Sequence, residues 1–128
     1  MPKRIVTSPE VVEGKGPYSQ CTRVGNTLYI AGQVAWDKNG QIVGAGDVAA
    51  QARRCFQGIK ALVEAGGGTM DDVVKVNMYL TRIADSAAVR PVRESFFRAP
   101  YPAWTTVAVS ALVLPELLIE VEAVAELP

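Results

Sequence analysis

From Leu117 to Ala125 the chain alternates residue by residue, and this segment limits the architecture more than any other. On a strand, Ile119, Val121 and Ala123 point one way while Glu120, Glu122 and Val124 point the other. A strand of this kind needs cover on its apolar side only. The covering elements are legible upstream. Asp47 is placed to cap a helix from about Val48 to Ala65, in which Cys55, Phe56, Ile59, Leu62 and Val63 share one face at helical spacing. Gly66-Gly67-Gly68 stops that helix, because glycine readily takes the left-handed conformation at a helix end. A second helix is expected from about Ala87 to Phe97, capped by Asp85 or Ser86, with Val89, Val92, Phe96 and Phe97 as its stripe. Pro91 is awkward inside it, since a proline beyond the first turn removes a hydrogen bond and can kink the helix.

The other strands follow from alternation and turn chemistry. A short strand is expected within the first fifteen residues. Thr22–Val24 and Thr27–Val34 pair across a Gly25-Asn26 turn, and Leu28, Ile30 and Gly32 alternate with Tyr29, Ala31 and Gln33. Asp37-Lys38-Asn39-Gly40 carries the Asn-Gly signal of a tight hairpin. Thr69 with Asp72 matches a capping box over one short turn. In Val74–Leu80, Val74, Val76, Met78 and Leu80 oppose Lys75, Asn77 and Tyr79. Thr105–Ala111 completes the set with the final strand. The order β-β-β-α-β-α-β-β predicts an α+β fold: one mixed sheet with both helices on one face. The other face is then bare, and must be polar or covered by another copy of the chain. Its mixture of Glu120, Glu122, Tyr29, Ala31 and Gln33 suits a subunit interface with embedded polar groups.

Composition excludes several chemistries. The chain has 128 residues, thirteen Lys+Arg against thirteen Asp+Glu, and no histidine. A histidine-based triad and a histidine-containing zinc site are therefore impossible. Zero formal net charge argues against long-range attraction to nucleic acid. Cys21 and Cys55 form neither a disulfide framework nor a CxxC motif, and read as reduced, partly buried thiols. No linker or repeat interrupts residues 1–128, which read as a single domain. No signal-peptide core and no apolar run long enough for a membrane span is present, so a cytoplasmic protein is expected.

Four places carry potential chemistry. Glu120 and Glu122 lie roughly 6–7 Å apart along one strand face. A glutamate desolvated in a crevice gains a raised pKa suited to acid/base work, although a structural ion pair uses the same residues. Gly16-Pro17-Tyr18-Ser19-Gln20 presents a phenol on a tight backbone, either toward a ligand or as a cap on the core. Ala31-Gly32-Gln33 sets a glycine inside a strand, which marks a bulge or the close approach of another group. In Tyr101-Pro102-Ala103-Trp104-Thr105-Thr106, the indole is either a wall for a planar ligand or a core residue. Arg90, Arg93 and Arg98 read as a solvated helix face.

Together with Asp47-Val48-Ala49-Ala50-Gln51-Ala52 and Leu118-Ile119-Glu120-Val121-Glu122-Ala123-Val124-Ala125, these segments resemble the Rid family of reactive intermediate deaminases, also called the YjgF family. The resemblance covers nearly the whole chain. It implies a chorismate-mutase-like fold, a homotrimer around a central barrel, and three small-molecule sites in the clefts between subunits. It implies hydrolysis of enamines and imines, such as 2-aminoacrylate, to a keto acid and ammonia, with no metal or organic cofactor. Carried over position by position, Glu120 and Tyr18 are the expected catalytic residues, Glu120 positioning the attacking water. Ala31, Gly32, Trp104, Thr105 and Thr106 are the expected substrate-binding residues.

Trp104 departs from the family pattern, in which an arginine follows the Pro-Ala pair and clamps the substrate carboxylate. A guanidinium offers two parallel charge-assisted hydrogen bonds, an indole one neutral donor. Losing such a clamp costs on the order of several kcal/mol for an anionic substrate. The expected preference therefore moves from small 2-imino acids toward neutral, planar or aromatic ligands. A non-catalytic small-molecule-binding or regulatory trimer is the alternative, favoured by the missing arginine. A ribonuclease reading finds no basic stripe to support it.

Overall fold

The computed structural model describes residues 2–128. Strands β1 (Arg4–Val6), β2 (Cys21–Val24) and β3 (Thr27–Gln33) precede helix α1 (Val48–Ala65). Strand β4 (Val73–Leu80), helix α2 (Ser86–Phe96) and strands β5 (Ala103–Ala108) and β6 (Ile119–Glu126) complete the chain. The six strands form one sheet in the order β1-β2-β3-β6-β4-β5. Only β4 and β5 run parallel, which is why a helix must carry the chain between them. The expected order and α+β class are those observed.

Helix α1 keeps the expected boundaries because both ends are chemically specified. The Asp47 carboxylate accepts from the Ala50 N–H at 3.1 Å. At the other end Gly68 N–H donates to Val63 O and Gly67 N–H to Glu64 O, with Gly67 at φ +98°. These are the paired bonds of a Schellman stop, and the left-handed residue is the second of the three glycines. The apolar face of α1, centred on Phe56, Ile59 and Leu62, packs on Leu28 and Ile30 of β3, Val76 and Leu80 of β4, and Ile119 and Val121 of β6. Each such side chain contributes about 1.5–3 kcal/mol by leaving water. α2 starts one residue earlier than expected, with no side-chain bond from Asp85, and it contains Pro91. Pro91 is solvent-facing, so the helix loses one backbone bond without pressing the ring into the core.

Two bulges break the strict alternation. Ile30 pairs with Ala123 and Gln33 with Val121, leaving Ala31 and Gly32 together opposite Glu122. Gln33 is thereby turned away from Tyr29 and toward α1, where it is 5% exposed and sits against Gly58. The second bulge lies between Val73 and Lys75, so Val73 is buried and Val74 is the exposed residue. Strand β5 starts earlier than expected, at Ala103 opposite Lys75, and ends at Ala108 because its partner ends at Leu80; β6 begins at Ile119 for the same reason. The Asn39-Gly40 turn forms, with Gly40 at φ +76°, but closes only the single bridge Trp36–Ile42. As expected, Ile119, Val121, Ala123 and Ala125 are buried under the helices. The opposite face carries Glu120, Glu122, Tyr79 and Tyr29 without cover.

Candidate active site

The bulge at Ala31–Gly32 builds the first half of the site. A Cβ at Gly32 would lie 2.3 Å from Glu120 Oε2, so the missing side chain is what lets the carboxylate rest against β3. Burial, and then the charge of Glu122, raise the Glu120 pKa above the ordinary carboxylate value. Glu122 accepts a hydrogen bond from the Tyr79 hydroxyl. That bond fixes Glu122 as an acceptor beside Glu120.

Tyr18 stands over the same cavity, of about 310 Å³, with Ala31, Gly32, Arg54 and Glu120 in its lining. Gly14 and Gly16 make room for its ring: a Cβ at Gly14 would lie 2.1 Å from the ring carbon Cζ. The ring is still 53% exposed, so a neighbouring surface can close over it. Three glutamines brace this half-site. Gln33 Nε2 donates to Gln20 Oε1 at 2.9 Å and to Ala31 O at 3.0 Å, and Gln20 Nε2 donates to Val12 O at 3.1 Å. Fully buried Gln51 donates to Gly44 O and Glu116 O and accepts from Leu118 N–H. It thereby ties α1 to the start of the strand that carries Glu120. Arg54 donates from Nε to Trp36 O at 2.6 Å and from Nη2 to Glu10 O, holding the loop walls.

Trp104 and Thr106 lie on the other side of the sheet, in a second cavity of about 680 Å³. The indole packs edge-on against Phe97 (centroids 5.4 Å, 84°) and tilted against Phe56 (6.1 Å, 58°). Its Nε1–H donates to Thr106 Oγ1 at 3.0 Å. The Arg93 guanidinium lies over the ring, with Cζ 3.7 Å from the centroid. Trp104 is thus both packed in the aromatic cluster and a wall of the cavity, the two uses the sequence left open.

Within one chain the expected site residues therefore fall into separate groups. Tyr18, Ala31, Gly32 and Glu120 share one cavity, and Trp104 and Thr106 share the other. Thr105 joins neither. Strand alternation turns it to the uncovered face, where it accepts from Lys75 Nζ at 3.0 Å. Arg98 is also outside both, paired with Asp71, its Nε 2.9 Å from Oδ1. Sequence reasoning gave Gln51, Gln33 and Arg54 no part in a site, and read Arg93 as one of a solvated helix face, whereas its guanidinium lies on the Trp104 ring. Gln51 had a signal: it lies four residues before Cys55, on the apolar face of α1, where a polar side chain needs partners. Cys21 and Cys55 are free and buried, their thiol pKa values raised by burial, that of Cys21 to about 11. Among the described residues no group of three His, Cys, Asp or Glu side chains is placed to hold a metal, and no helix is long and apolar enough to cross a membrane.

The family model described as Endoribonuclease L-PSP matches residues 9–127. A Dermatophagoides farinae protein named 2-iminobutanoate/2-iminopropanoate deaminase is 40% identical over 111 residues, 87% of each chain. RidA from an Antarctic Psychrobacter superposes with a TM-score of 0.90 at 35% identity, over 97% of this chain and 99% of that one. The YjgF gene product of E. coli gives a TM-score of 0.89 at 33% identity, over 96% and 98% of the two chains.

Proposed function

The chain belongs to the Endoribonuclease L-PSP family, the Rid/YjgF group, and on that footing we propose that it hydrolyses imines and enamines. The observation that carries this reading is the Glu120 carboxyl, half-buried against Gly32 in a cavity overlooked by Tyr18. In the proposed reaction Glu120 orients a water and takes its proton as the oxygen attacks the C=N carbon. The proton passes to nitrogen to give a carbinolamine, and its hydroxyl proton then moves through Glu120 to the nitrogen as the C–N bond breaks, so that a carbonyl compound and ammonia leave. An enamine first tautomerises to the imine. A raised pKa suits a group that must accept and return one proton near neutrality. Tyr18 closes the pocket. The reaction consumes only water, so no cofactor is required of the protein.

The site is read as intersubunit and the protein as a homotrimer. Two observations support this. The Glu120 and Trp104 half-sites occupy different cavities of one chain. The sheet face opposite the helices also exposes large apolar groups, with Tyr29 at 50% and Val107 at 41%. A native mass about three times 13.7 kDa is expected from light scattering. A cytoplasmic setting belongs to the same proposal. Ribonuclease activity does not, since the chain offers neither net positive charge nor histidine.

Trp104 shifts the preference away from compact 2-imino acids, because the guanidinium that would grip a carboxylate beside the C=N bond is replaced. The indole N–H is moreover already given to Thr106. That last observation also favours the second reading, a binding trimer without catalysis. An ammonia-release assay separates them, using imines generated in situ from acidic, neutral and aromatic amines. Wild type is expected to hydrolyse the neutral or aromatic imines, Glu120→Ala to abolish this, and Trp104→Arg to gain turnover of 2-iminopropionate. Equal turnover of 2-iminopropionate by wild type and Trp104→Arg overturns the altered preference. A wild type inert on every imine, beside an active Trp104→Arg, establishes the binding reading.

A further inference from the structure

We propose that Arg93, stacked on Trp104, is an anion anchor of the cleft and selects planar substrates whose acid group lies away from the reacting carbon. The inference rests on the reading that the Trp104 cavity is the substrate end of the site. It replaces a simple loss of anion binding with a relocation: the cation comes from helix α2 instead of strand β5.

The geometry leaves Arg93 free for a ligand. The three ion pairs among the described residues are Lys60–Glu64, Arg90–Glu94 and Arg98–Asp71, and Arg93 is in none of them. Arg90 and Glu94, which also line the cavity, largely neutralise each other, so Arg93 is its uncompensated charge. With Cζ 3.7 Å from the Trp104 centroid, the guanidinium spends one flat face on the indole. Stacking leaves the rim of N–H donors open, and that rim forms parallel bonds to a carboxylate. The platform is rigid, because Phe56 and Phe97 pack the indole and Thr106 holds its Nε1–H. Trp104 therefore contributes no donor of its own. The Thr106 hydroxyl, already accepting from the indole, keeps its proton to donate into the cavity. Partial burial, and then the neighbouring Arg90, disfavour the charge on Arg93; Glu94 acts the other way, and a bound anion adds to its effect.

These features specify a ligand class. A cavity of about 680 Å³ bounded by an indole is poorly filled by a three-carbon acid. A flat ring fills it better, lying along the indole edge with its carboxylate coplanar with the guanidinium. Aryl and conjugated carboxylates combine both requirements.

Ligand binding tests this without relying on turnover, so it fails or stands separately from the proposed hydrolysis. The chain has two tryptophans, Trp36 and Trp104, whose indole N–H signals are distinguished by NMR with a Trp104→Phe reference. Sodium benzoate, its neutral isostere benzamide and sodium propionate are titrated into the assembled ¹⁵N-labelled protein. Benzoate is expected to move the Trp104 signal and to bind more tightly than benzamide or propionate. Arg93→Gln is expected to weaken benzoate about ten- to a hundredfold with benzamide unchanged within about twofold, the loss of a charge-assisted bidentate pair. Arg93→Lys falls between, and Arg98→Gln, outside both cavities, matches wild type. Arg93→Met, which keeps an aliphatic stem over the indole, repeats the test if Arg93→Gln does not fold. Undiminished benzoate affinity in the Arg93→Gln or Arg93→Met protein overturns the proposal. So does benzoate binding that leaves the Trp104 signal in place, or a wild type that binds benzoate no better than benzamide.

Discussion

Substituting Gly32 by alanine separates positioning from stability. The added Cβ would stand 2.3 Å from Glu120 Oε2, 2.7 Å from its Cδ and 3.0 Å from its Cγ. Ordinary contact begins near about 3.5 Å, so the carboxylate must retreat by about 1.2 Å. It can do so, because the clash falls on the far end of a flexible side chain and not on backbone. Gly32 is also not among the residues at positive φ, so alanine suits its backbone and removes freedom from the unfolded chain. Stability should therefore stay within about 1 kcal/mol of wild type, with a gain as plausible physically as a loss. Activity should not stay, since a displacement of about 1 Å at an attacking group can cost about a hundredfold in rate. The assays are a thermal melt and ammonia release from the best imine substrate, with kcat and KM measured separately. Unchanged kcat in a folded Gly32→Ala protein would refute the reasoning, because the carboxylate's place against β3 would then be irrelevant to the reaction. A melting temperature that fell in proportion to activity would refute it too, by making the glycine a packing residue.

Other expectations follow from the same geometry. Gln51→Leu removes two donated bonds and one accepted bond and leaves three partly buried backbone groups without their partner, so it should destabilise by about 3 kcal/mol, read in a denaturant titration. A loss below about 1 kcal/mol would mean that water replaces the amide. Because the folded protein raises the Glu120 pKa, its stability contribution is intact below the ordinary carboxylate value and is lost as pH rises through the raised one. Glu120→Gln should accordingly melt higher than wild type at neutral pH and converge with it in acid, and a gap that widens in acid contradicts the sign. Neither Cys21 nor Cys55 should react with a thiol reagent at pH 8 until denaturant is added, after which both titrate. Fast labelling of the native protein would show that the burial is transient.

Legibility in the sequence followed the locality of the cause. Helix α1 was readable to the residue because Asp47 and the three glycines specify its ends within a few positions. The faces of β6 were readable because nothing interrupts its alternation. Gln33 and Val74 were misplaced because a bulge depends on the partner strand, and a period of two carries no sign of an inserted residue. The end of β5 likewise depends on where β4 stops. The candidate site was legible as residue types but not as an arrangement. Thr105 and Trp104 are neighbours in sequence and face opposite sides of the sheet. Arg90, Arg93 and Arg98 look alike on paper, yet two are paired on the surface and one lies on an indole contributed by another element.

The sheet order also has a temporal meaning. Strand β6 lies between β3 and β4, although every other strand precedes it in the chain. Without residues 119–126, β1-β2-β3 and β4-β5 share no strand pairing. The seam arrives with residues 119–126, and Glu120 arrives on it. Closing the sheet and installing the carboxylate are thus one event in the life of the molecule. Until that strand is in place, the edges of β3 and β4 stay unpaired and the Glu120 carboxyl has no Gly32 wall to rest against.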